Sequence, residues 1–272
     1  LILGLEDFDI YRMVVYIITV ACLIMIVFNL QFLEKYSTLF LFSGWLVTSS
    51  WFVGYVDVIS VLIITIISKN LYQSNFSFLK ISFYLFLLSI NHNAISLVIC
   101  IVFLILVKYE TKKKILPAIF ISQILGNLSI QYYLKFIGFE GRGRLRFVFN
   151  DNVIQNSINF LSDNLIIVLW SGFLGTSVLF LLVANTLSWS DTRSIFISIL
   201  IALFFTSIAL DTSRIFSLLL TPTILFTLQK YKNSVNFQNK LGAIYSSSIL
   251  LHFVIGVYYF YGSILNESPM SN

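Results

Sequence analysis

The stretch FLKISFYLFLLSINHNAISLVICIVFLILV, residues 78–107, decides how the rest of the chain is read. It is too long for one helix crossing a bilayer core, which takes about 20 residues, and too short for two full spans. Asn91-His92-Asn93 interrupts it near the middle. Two short helices meeting at a polar tip satisfy both facts. Such tips persist at membrane depth where they are buried in protein or line a cavity. The stretch 38–68 has the same defect, with Gly54-Tyr55-Val56-Asp57 at its break. Interrupted spans at corresponding positions can mark binding sites in transporters.

Working outward, apolar runs separated by charged breaks fall at 11–33, 38–52, 58–68, 78–90, 94–107, 115–136, 165–187, 194–210, 215–228 and 241–265. The 272 residues are 58% hydrophobic and 11% charged, with a mean hydropathy of +0.92. Soluble domains carry about 25% charged residues, so water is not the solvent for most of this surface. Backbone groups in lipid must bond within their own segment, which makes the runs helices. The strict alternation of a barrel strand is absent. The expected fold is therefore all-α: a polytopic membrane bundle of about 9–10 spans including paired short helices, with residues 1–272 forming one transmembrane domain. Cys22 and Cys100 lie inside apolar runs and read as buried packing residues, not a disulfide or metal framework.

Lysine and arginine set the orientation. Alternating the spans groups Lys35, Lys69, Lys80, Lys108, Lys112, Lys113, Lys114, Arg193, Lys230, Lys232 and Lys240 on one side. Arg12, Lys135, Arg142, Arg144, Arg146 and Arg214 fall on the other. The first set is larger and holds nearly all the lysines, so it is expected to be cytoplasmic. The net charge of +5 then reports topology, and no nucleic-acid partner is expected. The outer loop 138–164 carries Val153, Ile154, Ile158 and Leu161 at helical spacing, which predicts a short helix lying on the interface.

The outer side collects the candidate functional residues. Gly141-Arg142-Gly143-Arg144-Leu145-Arg146 places three arginines where the topology rule disfavours them. Arginine pairs bidentately with phosphate, so a lipid-linked phosphate or diphosphate is a natural ligand; bulk anionic lipid, or Glu140, Asp151 and Asp163, are the competing partners. Glu6-Asp7-Phe8-Asp9 offers carboxylates for a general base or a hard cation; a solvated acidic terminus is the alternative. Asp211-Thr212-Ser213-Arg214 forms a tight outer turn that is either a site element or an internal ion pair. His92 suits a proton carrier or a polar-substrate contact, or else a hydrogen-bonded structural role. Asp57 is an ionisable group at a membrane break, functional by default unless it only caps the following helix. His252, with no acidic neighbour in sequence, reads as structural. No metal site is expected and no cofactor is specified, although the carboxylates are compatible with a divalent cation. No nucleotide-binding or nucleophile-elbow motif occurs.

These elements together resemble the GT-C class of membrane glycosyltransferases, enzymes that use polyprenyl-phosphate-linked sugars. The resemblance is carried by Asp7-Phe8-Asp9-Ile10-Tyr11, Gly54-Tyr55-Val56-Asp57, Asn91-His92-Asn93 and Asp211-Thr212-Ser213-Arg214. It implies that Asp7 or Asp9 is the catalytic base and that Arg142, Arg144, Arg146 or Arg214 holds the donor phosphate. Tyr55, Asp57, His92 and Asp211 then become substrate-binding candidates. The class carries a transmembrane helix before the acidic loop, and Leu1 to Leu5 is at most its final turn; a helix preceding Leu1 would complete the match, and a relative without catalysis is the alternative. The expected function is a glycosyltransferase or glycan polymerase of the cell envelope, in a bacterial inner membrane, with its polar site on the non-cytoplasmic side. Its partners would be a lipid-linked sugar and membrane lipids. The alternatives are a transporter or lipid flippase, and a non-catalytic subunit of a larger membrane complex.

Overall fold

The computed structural model of the protein describes residues 8–46, 57–73, 76–138, 151–207, 212–255, 258–261 and 264–267. Helices dominate: α1 (Phe8–Asn29), α2 (Asp57–Tyr72), α3 (Phe78–Asn91), α4 (Asn93–Leu106), α5 (Tyr109–Phe136), α6 (Asp151–Phe173), α7 (Trp189–Thr206), α8 (Thr212–Lys232) and α9 (Leu241–Ile255). Shorter helical pieces continue α1 from Leu30 to Phe40 and α6 from Leu174 to Thr186. Four helical segments are long and apolar enough to cross a membrane: Ile10–Phe40, Tyr109–Phe136, Ile158–Thr186 and Trp189–Thr206. The protein is an all-helical integral membrane bundle, and its outward faces agree with a lipid surround. Met13, Ile17, Ile24 and Phe28 on α1, and Leu116, Phe120, Leu128 and Phe136 on α5, are all exposed.

The paired short helices around His92 are present as expected, with His92 alone between α3 and α4 at φ −148°, ψ 73°. The earlier stretch differs. Ser37–Phe40 makes only one helical turn. The chain turns at 41–43 and is helical again at 44–46, with Ser43 Oγ and Trp45 Nε1 both donating to the Phe40 carbonyl. The second half, α2, begins at Asp57 as the break required. The expected interfacial helix and the span after it form one helix, α6, bent at Asn164 (φ −119°, ψ 18°). The last run is helical only to Ile255; Tyr258–Tyr261 (β1) pairs antiparallel with Ile264–Glu267 (β2).

The centre of the bundle is α8, buried from Ile215 to Leu228, packed against α2, α4, α6 and α7. In lipid the burial of apolar surface does not by itself drive helices together, so close approach and interhelical polar contacts carry the packing. At Gly172 an added Cβ would sit 2.5 Å from the Phe216 ring, and at Gly126 it would sit 2.3 Å from Ser89 Oγ. The absent side chains let α6 meet α8 and α5 meet α3. Cys22 and Cys100 are free and buried, as their apolar runs implied.

Polar side chains sort to the two ends. At one end Lys69 Nζ donates to Asn29 Oδ1 at 3.4 Å, which sets α1 and α2 parallel. Lys232 ties the same end together, bonding Phe32 O at 2.9 Å and Glu34 at 2.8 Å. This lysine end gathers the residues that the charge alternation placed together. Asp57 and Arg214 lie at the far ends of α2 and α8, roughly 18 Å along α2 from Lys69 and roughly 24 Å along α8 from Lys230. The start of α1, with Asp9 and Arg12, lies at that opposite end too.

Candidate functional site

Asp57, His92 and Arg214 meet at the end of the bundle opposite the lysines. His92 Nε2 is 2.8 Å from Asp57 Oδ1, and Arg214 Nη1 is 3.2 Å from Asp57 Oδ2. The Asp57 side chain is 7% exposed, His92 15% and Arg214 13%, so the three are withdrawn from bulk solvent. An ionised carboxylate only accepts hydrogen bonds, which places a hydrogen on His92 Nε2. One carboxylate thus orients an imidazole and a guanidinium arriving from two other parts of the chain.

The local sequence explains how His92 gets there. Its N–H bonds Leu88 O at 2.9 Å and its carbonyl accepts from Ser96 N at 2.7 Å, so one residue ends α3 and starts α4. The neighbours brace the break. Asn91 Nδ2 donates to Ser60 Oγ at 2.8 Å, three residues along α2 from Asp57 and on the same face. Asn93 Nδ2 donates to Asn127 Oδ1 on α5. The tripeptide therefore docks on two helices, and burial of its three polar side chains is compensated.

A second polar layer backs the tip. Ser96 Oγ donates to Gln123 Oε1 at 3.1 Å, Ser89 Oγ is 3.4 Å from the same oxygen, and Asn127 Nδ2 bonds Gln123 O at 3.0 Å. Gln123 and Asn127 were not singled out from sequence. Their signal was present, as two amides four residues apart inside an apolar run share one helix face.

Between the ends, several buried hydroxyls turn to their own helices, while Ser198 Oγ on α7 meets Thr223 Oγ1 on α8 at 2.9 Å and Ser122 Oγ on α5 donates to the Ser82 carbonyl on α3 at 2.7 Å. Thr65 Oγ1 bonds Val61 O, Thr221 Oγ1 bonds Ser217 O and Thr227 Oγ1 bonds Thr223 O, all at 2.8–3.0 Å. Leu218, Leu219, Leu220, Leu225 and Leu228 fill the space around them. The polar cluster is thus confined to one end.

The lysine end holds its own cavity of about 710 Å³, lined by Lys108, Lys112, Lys230, Asp191, Tyr109 and Gln229 among others. Lys230 Nζ is 2.6 Å from Asp191 Oδ1. Ser188 caps α7, its Oγ accepting from Asp191 N at 3.2 Å and donating to Asp191 Oδ2 at 2.9 Å. The place of Asp191 in a cavity is a product of the fold.

Of the sequence candidates, the structure brings together Asp57, His92 and Arg214. Arg214 reaches across to Asp57 on another helix. Asp9 lies in the first turn of α1, at the same end. Asp7, Tyr55, Arg142, Arg144, Arg146 and Asp211 lie outside the described residues. His252 sits edge-on to the Phe42 ring, 6.2 Å between centroids. Among the described residues no group of three or more His, Cys, Asp and Glu side chains could hold a metal ion. Comparison of the chain with protein-family models, with curated proteins and with solved structures finds no match.

Proposed function

We propose that the protein is a membrane glycosyltransferase or glycan polymerase that uses a polyprenyl-phosphate-linked sugar on the non-cytoplasmic face of a bacterial inner membrane. The observation that carries this reading is the Asp57–His92–Arg214 cluster, a buried carboxylate with two partly buried cationic or polar partners at the end of the bundle remote from the lysines. Ionisable groups in membrane segments are expensive to keep and mark sites. The positive-inside rule assigns the lysine end to the cytoplasm, which puts the cluster outside.

In this mechanism Asp57 pairs with Arg214 through Nη1, and the guanidinium N–H fork suits a phosphate oxygen pair. The acceptor hydroxyl oxygen bonds to the anomeric carbon as the carbon–oxygen bond to phosphate breaks. The phosphate leaves with the electron pair, and arginine stabilises the charge that develops there. The hydroxyl proton passes to a base. Asp7 or Asp9 is the choice that the GT-C resemblance implies, and His92, oriented by Asp57, is a second group of suitable chemistry. The charged side chains of the site share one end of the bundle and leucines pack the space between the two ends, which favours a one-sided site over the transporter or flippase alternative.

The test is turnover in liposomes containing the protein, a polyprenyl-phosphate sugar and a glycan acceptor. Release of polyprenyl phosphate with growth of the acceptor is expected, falling at least ~10²-fold in Asp57→Asn and His92→Gln. Label that crosses the bilayer without new glycan would support transport instead. Undiminished turnover in both folded variants would remove the cluster from the mechanism.

A further inference from the structure

We propose that the cavity at the lysine end is a binding site for an anionic phosphate ester carrying a free hydroxyl. Three lysines, Lys108, Lys112 and Lys230, line it against one carboxylate, Asp191. Asp191 is taken by Lys230 at 2.6 Å, and among the described residues no carboxylate lies within ion-pairing distance of Lys108 or Lys112. The excess charge is therefore cationic.

Its position deepens the effect. Lys112, Lys113 and Lys114 sit in the opening turns of α5, where the helix dipole is already positive, and the Lys108 side chain makes no capping hydrogen bond there. Cations at a helix start are unfavourable by themselves and become favourable around an anion. Tyr109 is held by the Lys113 ammonium 4.7 Å from its ring centre. On the far wall Gln229 Oε1 is buried without a hydrogen-bond partner among the described residues. A buried amide oxygen calls for a donor, and a phosphate oxygen supplies none, whereas a ligand hydroxyl does. About 710 Å³ accommodates a phosphate with a small polyol. Ile105 and Leu106 complete the wall with apolar surface, as an acyl-bearing ligand requires. The site lies at the other end of the bundle from the Asp57 cluster and does not depend on the glycosyltransferase reading.

The ester has two sources, an anionic lipid headgroup or a free polyol phosphate. Thermal unfolding of the purified full chain in detergent separates them. The probes are dioctanoyl-phosphatidylglycerol, dioctanoyl-phosphatidic acid, dioctanoyl-phosphatidylcholine and glycerol 3-phosphate. Saturable stabilisation by the phosphatidylglycerol alone identifies a lipid site; stabilisation by glycerol 3-phosphate as well identifies the free ester. Each of Lys108→Gln and Lys112→Gln, at exposed or half-buried positions that should not hinder folding, is expected to weaken binding about fivefold or more. Gln229→Leu is expected to erase the preference for phosphatidylglycerol over phosphatidic acid. Equal stabilisation by phosphatidylcholine, or unchanged affinity in both lysine variants, would overturn the proposal. An unchanged preference in folded Gln229→Leu would overturn the hydroxyl contact.

Discussion

His92 and Asp57, 35 residues apart in the chain, meet at 2.8 Å where one helix ends and two begin. Each would be costly alone in a membrane. Asp57 also meets Arg214 at 3.2 Å, so its charge is compensated and the imidazole is held in one orientation. Catalysis requires this kind of fixed ionisable group, and stability alone does not, because apolar residues of similar volume pack a bundle as well.

That difference gives the first prediction. Asp57→Asn removes the carboxylate that faces Arg214, and removing one partner of a pair withdrawn from solvent costs up to about 3–5 kcal/mol. Replacing both partners, Asp57→Leu with Arg214→Met, should return most of that stability while activity stays lost. Denaturant or thermal unfolding in detergent, run beside the turnover assay, reads both quantities. A double variant as unstable as Asp57→Asn would show that the pair is needed for folding itself.

Topology gives the second. α5 runs 28 residues from Tyr109 to Phe136, roughly 42 Å along its axis, so Lys113 and Lys135 should face opposite sides. In a Cys22→Ala, Cys100→Ala background, an impermeant maleimide added to intact cells is expected to label a cysteine at 135 and spare one at 113. The reverse pattern would invert the protein in the membrane and move the Asp57 cluster to the cytoplasm.

Much of this arrangement was legible in the sequence. The polar tripeptide at 91–93 interrupted an apolar run of awkward length, and the side on which lysines fell gave the polarity of the bundle. That Asp57, His92 and Arg214 belong to one site was legible only as shared sidedness. Their contact depends on how α2, α4 and α8 pack, and helix packing leaves no local signature beyond small residues. The turn at 41–43 was hidden for a related reason: the run is apolar enough for a span, yet Ser43 and Trp45 donate to the Phe40 carbonyl where the helix is interrupted. The lysine-end cavity was invisible because its walls come from α2, α4, α5, α7 and α8, which meet only in the fold.

The third prediction concerns the packing that supports Arg214. A Cβ at Gly172 would lie 2.5 and 2.6 Å from two carbons of the buried Phe216 ring, two residues beyond Arg214. Overpacking of this kind costs about 1–3 kcal/mol. Gly172→Ala should lower the melting temperature and reduce turnover, since Phe216 can move only by displacing the start of α8. Gly242→Ala, with nothing within 4 Å of the added carbon, is the control and should leave both unchanged. Matching behaviour of the two variants would contradict the close approach of α6 and α8.

The last prediction concerns the arginines, which carry the phosphate chemistry of the proposed reaction. Arg214 pairs with Asp57 through Nη1, and a guanidinium carries further N–H groups in the same plane for a second anion. Lysine at 214 would keep the charge and lose the plane: its compact ammonium cannot span carboxylate and phosphate in the same geometry. Charge-assisted hydrogen bonds contribute about 1.5–3 kcal/mol each, so Arg214→Lys should weaken donor use about tenfold or more. Folding should suffer less, because the charge facing Asp57 persists. The same substitution at Arg142, Arg144 and Arg146 distinguishes phosphate recognition from attraction to bulk lipid, for which lysine serves equally well. Measuring kcat/KM for the lipid-linked sugar in the four variants decides between them. A loss at 214 accompanied by a loss at one or more loop positions is the expected pattern, with a phosphate gripped from two sides. Full activity in all four lysine variants would leave the glycosyltransferase reading without its donor site, whatever the fate of Asp57.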